Sequence, residues 1–381
     1  MRLGGSPQRT GYNPQMAWIE ALKLMRPRAL ARVSRTASEA AEQTKEIKAT
    51  LKALSKDTSK SMNDVAGQIR EMQESLENRI ADLARELQVA RLKESQLRAV
   101  MQRDLELEGE DTELRRLMTD VDGIQQHVRQ AFAAAEFSQE PFPYAIVDDV
   151  LPSWLYKALV AGLPPVELYA DREVNRQQLT VPFTLAPRYG QLVWRFMTHT
   201  VLDSILRPVI MERFGPSLQA FVHDTFPAVD PDTIAAMPIQ CSDGRIIYRR
   251  RGYYIKPHRD PKWGMITGIL YLAKPGDDPR WGTDIYTVDG DAKAASLAPL
   301  WIKEEQCHHV RLVENRPNRL LVFLNSKGAH GARIPAELAD VEIERSIYQF
   351  RLTPRSTTMR AMIASLPEDE QRTWQGKLSD Y

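Results

Sequence analysis

The chain has 381 residues, 51 Lys and Arg against 50 Asp and Glu, a net charge of +1 and only two cysteines, Cys241 and Cys307. That balance gives no whole-chain electrostatic case for nucleic acid or membranes, and two cysteines exclude a disulfide scaffold and a multi-cysteine zinc module. No stretch approaches the roughly 20 apolar residues of a membrane span, and no apolar leader opens the chain, so a cytoplasmic protein is expected.

Residues 1–40 read as a basic, flexible N-terminus. Within it, residues 16–35 set arginines among Trp18, Ile19, Leu22, Leu24 and Leu30, a make-up that a surface helix touching a membrane would have, although a frayed lead-in to the next helix is the preferred reading. Residues 41–108 hold no proline and one glycine, Gly67, and are rich in good helix formers. Ile47, Leu51, Leu54, Met62, Val65, Ile69, Met72, Leu76, Ile80, Leu83, Leu87, Ala90, Leu97 and Met101 recur at steps of three and four. Thr58 and Glu94 interrupt this seam, and consecutive steps of four at Thr58 to Met62 and Leu76 to Ile80 read as stutters. So narrow a stripe is buried only against another helix. The segment therefore predicts a coiled coil roughly 100 Å long, at about 1.5 Å per residue, that self-associates as a dimer or trimer. Residues 109–140 continue more weakly through Leu114, Leu117, Val121, Ile124 and Val128 as a connecting helix.

At Glu140-Pro141-Phe142-Pro143 the helical period stops. Tyr144 to Val147 reads as a strand, Ser153 as the N-cap of a helix over 154–161, and residues 189–214 as a second helix. Short apolar or β-branched runs follow at 246–248, 265–272, 284–288, 310–312, 320–324 and 346–352, separated by Gly, Pro, Asp or Asn. Helices followed by many short strands predict an α+β domain: a sandwich or open barrel with helices on one face.

His258 and Asp260 stand two apart in Tyr254-Ile255-Lys256-Pro257-His258-Arg259-Asp260. On an extended segment they share a side, and with a distant histidine such as His330 they would form a two-histidine, one-carboxylate face on a metal ion. That set leaves open positions and marks non-haem iron(II) oxygenases. Cys307, His308 and His309 are a weaker alternative cluster, because neighbours on a strand point to opposite faces.

The motif order resembles the iron(II)- and 2-oxoglutarate-dependent oxygenases, in particular the prolyl-4-hydroxylase-like branch. The matching segments are residues 141–152, 252–260, 267–272, 281–286, 319–331 and 345–350, so the resemblance covers roughly 141–354 and leaves 355–381 as a helical tail. It implies a double-stranded β-helix of jelly-roll or cupin type. It also implies that His258, Asp260 and His330 bind Fe(II) and that Arg345 pairs with the distal carboxylate of 2-oxoglutarate, with Tyr248 beside it. The implied reaction couples decarboxylation of 2-oxoglutarate by O2 to oxidation of a substrate. Trp281-Gly282 stands where the family has a Gly-Gly turn, Tyr248 lies one residue further from Gly252 than in the family, and a polar insertion at 335–344 leaves Arg351 as the alternative to Arg345.

Arg245, Arg249, Arg250, Arg251, Lys256, Arg259 and Lys262 crowd the metal segment, opposed nearby only by Asp243 and Asp260. A cleft of one sign concentrates ligands of the other. The expected substrate is therefore anionic (a sugar, a nucleotide-linked metabolite or a surface polysaccharide), bound by Arg249, Arg250, Arg251, Arg259 and Lys262. A protein hydroxylase acting on prolyl or other side chains, and a non-catalytic coiled-coil scaffold with a degenerate oxygenase domain, are the competing readings. Tyr253, Tyr254, Trp263, Tyr271 and Trp281, interleaved with these charges, read mainly as barrel wall.

Overall fold

A computed structural model of the chain describes residues 31–49, 59–173, 178–180, 185–250, 254–260, 263–290, 300–333 and 345–375. The chain divides into two compact units, Met1–Glu94 and Ser95–Tyr381. In the first, helix α1 covers 31–49 and helix α2 begins at Ser59 and runs to Glu106. The helical expectation for this region is met on both sides of residues 50–58, which lie outside the described residues, as does 16–30 of the basic N-terminal segment. Along α2 the seam positions Val65, Ile69, Leu76, Leu83 and Leu87 are half-buried, whereas Met72 and Ile80 are 43% and 59% exposed. No described helix is long and apolar enough to cross a membrane.

The last turns of α2 belong to the second unit and are tied into it by polar contacts. Arg103 Nη2 donates to the Ala161 carbonyl at 2.7 Å, and Asp104 Oδ1 accepts from the Arg188 amide at 2.7 Å. The single connecting helix expected after Gly109 is two: α3 (Glu110–Leu117) and α4 (Val121–Ala133). Asp120 makes the division, because its side chain accepts from the Gly123 amide and restarts the helix as an N-cap. Leu114, Ile124, Val128 and Phe132 are buried in the main core.

Strands β1 (Glu136–Ser138) and β2 (Tyr144–Val147) come next, then α5 (Ser153–Ala161). The N-cap of α5 is Pro152, not Ser153, and no side chain caps it; the proline ring already fixes the φ from which the helix starts. After β3 (Ala170–Glu173) and β4 (Gln178–Thr180), one long helical run replaces the expected helix over 189–214. It consists of α6 (Arg188–Phe196), a π-helical stretch (Met197–Leu206) and α7 (Arg207–Thr225), and is followed by the short α8 (Pro231–Ala235).

The remaining strands are β5 (Ile239–Arg249), β6 (Tyr254–Arg259), β7 (Ile266–Tyr271), β8 (Thr283–Val288), β9 (Leu300–Trp301), β10 (Cys307–Val313), β11 (Leu320–Leu324), β12 (Ala329–Arg333) and β13 (Arg345–Pro354). Helices α9 (Ser356–Ala364) and α10 (Glu368–Gln375) close the described chain. The strands form two antiparallel sheets, ordered β1-β2-β11-β7-β13-β5-β4-β3 and β10-β8-β12-β6-β9. The pairs β5·β13, β6·β12, β7·β11 and β8·β10 are the successive rungs of one antiparallel ribbon that alternates between the sheets. That winding is a double-stranded β-helix, the jelly-roll arrangement.

Strands β2, β7, β11 and β13 of the larger sheet are buried on both faces, which explains their nearly unbroken apolar runs. Tyr144, Ile146, Ile247, Ile269, Tyr271, Leu321, Phe323 and Ile347 face the inside, where Ile285 and Val313 of the smaller sheet meet them. Their neighbours Ala145, Val147, Ile246, Tyr248, Leu270, Leu320, Val322, Tyr348 and Phe350 face the helices. The two-residue period of the strand thus sorts every side chain to the barrel interior or to the helical layer.

Gly282 leads into β8 beside its neighbour β10, and a Cβ there would lie 1.8 Å from the Val313 carbonyl oxygen. Backbone cannot yield as a side chain does, so Gly282→Ala is expected to destabilise the protein by about 1–3 kcal/mol, read as a lower urea midpoint. Gly67→Ala, within α2 and with nothing within 4 Å of the new methyl, is expected to be stabilising by about 0.5–1 kcal/mol.

Candidate metal centre

His258 lies near the end of β6, and Asp260 follows two residues later on the same side. His330, on β12, stands directly opposite His258 in the ladder and opposite the interior residue Ile285 on β8. Folding thus brings a pair fixed by local spacing to a histidine 70 residues further along the chain. His258, Asp260 and His330 are each buried, and their ligand atoms all lie within 4.8 Å of one another. Asp260 Oδ1 is 3.9 Å from His258 Nε2 and 4.0 Å from His330 Nε2, and the two imidazole centroids are 4.3 Å apart. Among the described residues this is the one group of three or more His, Cys, Asp or Glu side chains placed to share an ion.

The groups behind the ligands fix their protonation and aim. His258 Nδ1 is 2.9 Å from the Lys256 carbonyl. A carbonyl only accepts, so Nδ1 carries the proton and the Nε2 lone pair faces the centre. Thr267 donates its hydroxyl to Asp260 Oδ2 at 2.7 Å, and Asn325 Nδ2 donates to Thr267 at 2.9 Å and to the Gly264 carbonyl. Oδ2 is thereby occupied, while Oδ1, which also accepts from Arg351 at 3.4 Å, faces the two imidazoles. Burial opposes ionisation of Asp260, but Arg351, the two imidazoles and the Thr267 hydroxyl outweigh it and hold the carboxyl well below its usual range. Burial, assisted by His258 and by the cations Arg351 and Arg249 and opposed by Asp260, pushes His330 down to about 3, so at neutral pH its imidazole is an uncharged donor. Two imidazoles and one carboxylate are a donor set that suits iron(II) and leaves coordination positions open.

A second polar layer lies deeper on the same inner face. Arg345, 1% exposed, directs Nη2 to Thr283 Oγ1 at 3.4 Å and stands 5.5 Å from the Tyr271 ring centroid. Tyr271 donates to the same threonine at 2.8 Å. Arg249 faces Arg345 across the β5·β13 ladder and is buried as well. Arg351 occupies a different place, with Nη2 3.4 Å from Asp260 Oδ1 and the guanidinium 5.3 Å from the Trp263 ring centroid. The two arginines are six residues apart on one strand, about 20 Å of backbone.

Other site expectations are corrected. Tyr248 pairs with Ser346, packs 5.4 Å from the Tyr169 ring centroid and belongs to the helix-side core. One residue of register turns it away from Arg345 and turns Arg249 inward instead. Arg250 is exposed and lies 5.9 Å over the Tyr248 ring, outside the barrel. Arg259, between the two ligands of its own strand, points opposite to them and donates Nε to the Gly328 carbonyl at 2.8 Å. Arg251 and Lys262 lie outside the described residues. His308 and His309 are exposed and turn to separate carboxylates, Asp289 at 2.8 Å and Asp284 at 3.1 Å; with Cys307 they form no shared centre.

Thr267, Thr283, Asn325 and Trp301 were not foreseen. Trp301 pairs with His258, its ring centroid 5.3 Å from the imidazole, and is 48% exposed at the rim. The inward period of β7 (Thr267, Ile269, Tyr271) was the available signal for the threonine.

No protein-family model matches the sequence, and no curated protein matches it. Solved structures do. A prolyl-4-hydroxylase of Pseudomonas putida is 17% identical, with 61% of this chain and 99% of that chain covered and a TM-score of 0.32. The non-haem α-ketoglutarate-dependent epimerase SnoN of nogalamycin biosynthesis is 11% identical, with 60% and 83% covered and a TM-score of 0.33. The carbocyclase SnoK of the same biosynthesis is 12% identical, with 61% and 85% covered and a TM-score of 0.32. The double-stranded β-helix follows from the strand pairing itself, independently of this likeness.

The depressed His330 value has a consequence for the metal-free protein. As pH falls below the unfolded value of 6.5 toward 3, the unfolded chain takes up a proton that the folded chain refuses. Stability is expected to fall over that window by up to about 1.4 kcal/mol per pH unit. Urea midpoints at pH 8, 6 and 5 measure it, and His330→Gln is expected to flatten the slope.

Proposed function

We propose that the unit Ser95–Tyr381 is an iron(II)- and 2-oxoglutarate-dependent dioxygenase that hydroxylates an anionic substrate. The observation that carries this reading is the combination, inside one barrel, of the buried His258, Asp260 and His330 set with the buried Arg345 beside Thr283 and Tyr271. His258, Asp260 and His330 would hold the iron, and Arg345 the distal carboxylate of 2-oxoglutarate, a task its planar fork performs by paired hydrogen bonds. The Tyr271 and Thr283 hydroxyls complete that end, and Arg249 adds a second positive charge. Ile247, Ile269, Ile285 and Ile347 wall the space with apolar surface, which suits methylene groups and excludes water. Iron with 2-oxoglutarate and O2 supplies the oxidising power. The chain's residues orient the co-substrate, keep the His330 imidazole uncharged and fix the aspartate oxygen that faces the centre.

Titration of the purified protein with iron(II) and 2-oxoglutarate under anaerobic conditions tests this. A visible charge-transfer band that needs both additions and disappears in His258→Ala is expected. Arg345→Gln removes a charge-assisted pair, a loss of about 1.5–3 kcal/mol, and should raise the Kd for 2-oxoglutarate roughly 10- to 150-fold. No band in folded protein would favour the scaffold reading, in which the helical region is the working part. Product analysis with peptides against small acids separates the protein-hydroxylase alternative.

We also propose that the 59–94 seam pairs with a second copy of the chain, because Met72 and Ile80 leave apolar surface exposed on a stripe spaced by steps of three and four. Sedimentation of the intact protein should return a dimer or trimer; a monomer at all concentrations would refute the pairing.

A further inference from the structure

His258 and His330 are held opposite each other by the β6·β12 ladder. Asp260 has no such support, because it directly follows Arg259, the last residue of β6. Its carboxylate is therefore aimed by its own contacts. Oδ1 faces the two imidazoles and Arg351. Oδ2 accepts from the Thr267 hydroxyl at 2.7 Å, the hydrogen-bond donor to that oxygen among the described residues. Thr267 is fully buried on β7, paired with Phe323 of β11 and with Arg351 of β13. The larger sheet thus reaches across the barrel to hold a ligand that the smaller sheet leaves unsupported.

The direction of the Thr267 contact is set one residue further out. Asn325, just past β11, bonds twice to the segment that leads into β7. Its backbone N–H donates to the Met265 carbonyl at 2.8 Å, and its side-chain Nδ2 donates to the Gly264 carbonyl. A carbonyl only accepts, so the side-chain atom facing Gly264 is the nitrogen. The second proton of that nitrogen goes to Thr267 Oγ1 at 2.9 Å. Thr267 therefore receives one hydrogen bond and sends its single proton to Asp260. A carboxylate oxygen that accepts this proton is turned away from any ion between the imidazoles.

We infer that Thr267, aligned by Asn325, is a positioning residue that limits Asp260 to one oxygen towards the metal and so keeps a further coordination position open. The inference rests on the metal-centre reading of His258, Asp260 and His330. Without the hydroxyl, Oδ2 would be a buried carboxylate oxygen with no donor, which is costly. A divalent cation beside Oδ1 is the strongest partner within reach. The carboxylate would then turn to offer both oxygens, and one of the positions left open by a three-residue set would be lost.

Manganese(II) is the probe, since it takes carboxylate and water ligands in an octahedral shell and the measurement needs no turnover. The full chain is loaded with manganese(II) alone, and water-proton relaxation counts the waters bound to the ion. The unmodified protein is expected to keep about three, the positions that three protein ligands leave in an octahedral shell. Thr267→Val should keep about two, and Thr267→Ser, which retains the hydroxyl, should restore the original count. Asn325→Ala leaves the Thr267 hydroxyl undirected and should fall between, and it carries the test if Thr267→Val does not fold. Urea midpoints of the metal-free variants establish folding. An unchanged count in folded Thr267→Val or Asn325→Ala would overturn the inference and leave the metal centre standing. An equal loss in Thr267→Ser and Thr267→Val would also overturn it, because packing rather than the hydroxyl would then be responsible. Failure of the unmodified, folded protein to bind manganese(II) or iron(II) would remove the metal centre and the inference together.

Discussion

Strand β13 is buried on both faces, and the two-residue period of its backbone decides what each of its side chains does. Arg345, Ile347, Gln349 and Arg351 face the interior, while Ser346, Tyr348, Phe350 and Leu352 face the other way, the last three in the helix-side core. A buried guanidinium is tolerated only when polar or charged partners meet it, so the inward set fixes what the opposing strands must present. Thr283 answers Arg345, and Asp260 answers Arg351. A slip of one residue in the pairing with β7 would turn the arginines into the helical layer and Tyr348 and Phe350 into the barrel. The apolar requirement of the helical core therefore holds the polar site in place.

The metal set depends on the same ladder logic in the smaller sheet. His258 and His330 face each other because β6 and β12 pair antiparallel at that position. Around them the polar groups form a directed chain. Asn325 donates to Thr267, and Thr267 donates to Asp260 Oδ2, which turns Oδ1 towards the imidazoles and Arg351. The arrangement is costly to bury and would be hard to justify as packing alone, since three ionisable ligands and a guanidinium share a small volume. A divalent cation between the imidazoles and the carboxylate offsets that cost.

The interior holds more positive than negative charge along the β5·β13 ribbon, and the charge is ordered. Guanidiniums stand above and below an isoleucine rung rather than in one patch. Trp301 stands beside His258 at the rim, and Trp263 lies beneath Arg351.

Much of this was legible in the residues. His258 and Asp260 declare themselves because their relation is local, two positions apart on an extended segment, and no distant contact is needed to put them on one side. The long helices and the order of the short strands follow from periodicity in the same way. The charge crowd around the metal segment was also visible, but its meaning was not. Arg249 and Arg245 turn inward, Arg250 turns out and Arg259 bonds to Gly328, because pleat parity and a bulge divide adjacent residues between two environments. Tyr248 was placed one residue out of phase for that reason. Thr267, Thr283 and Asn325 are ordinary polar residues until strand pairing sets them against Asp260 and Arg345. The sequence by itself determined which chemistry the chain carries, since residue type and short spacing are local properties. The tertiary structure decided which cations share the barrel interior with His258, Asp260 and His330, since that depends on the register between strands about 100 residues apart.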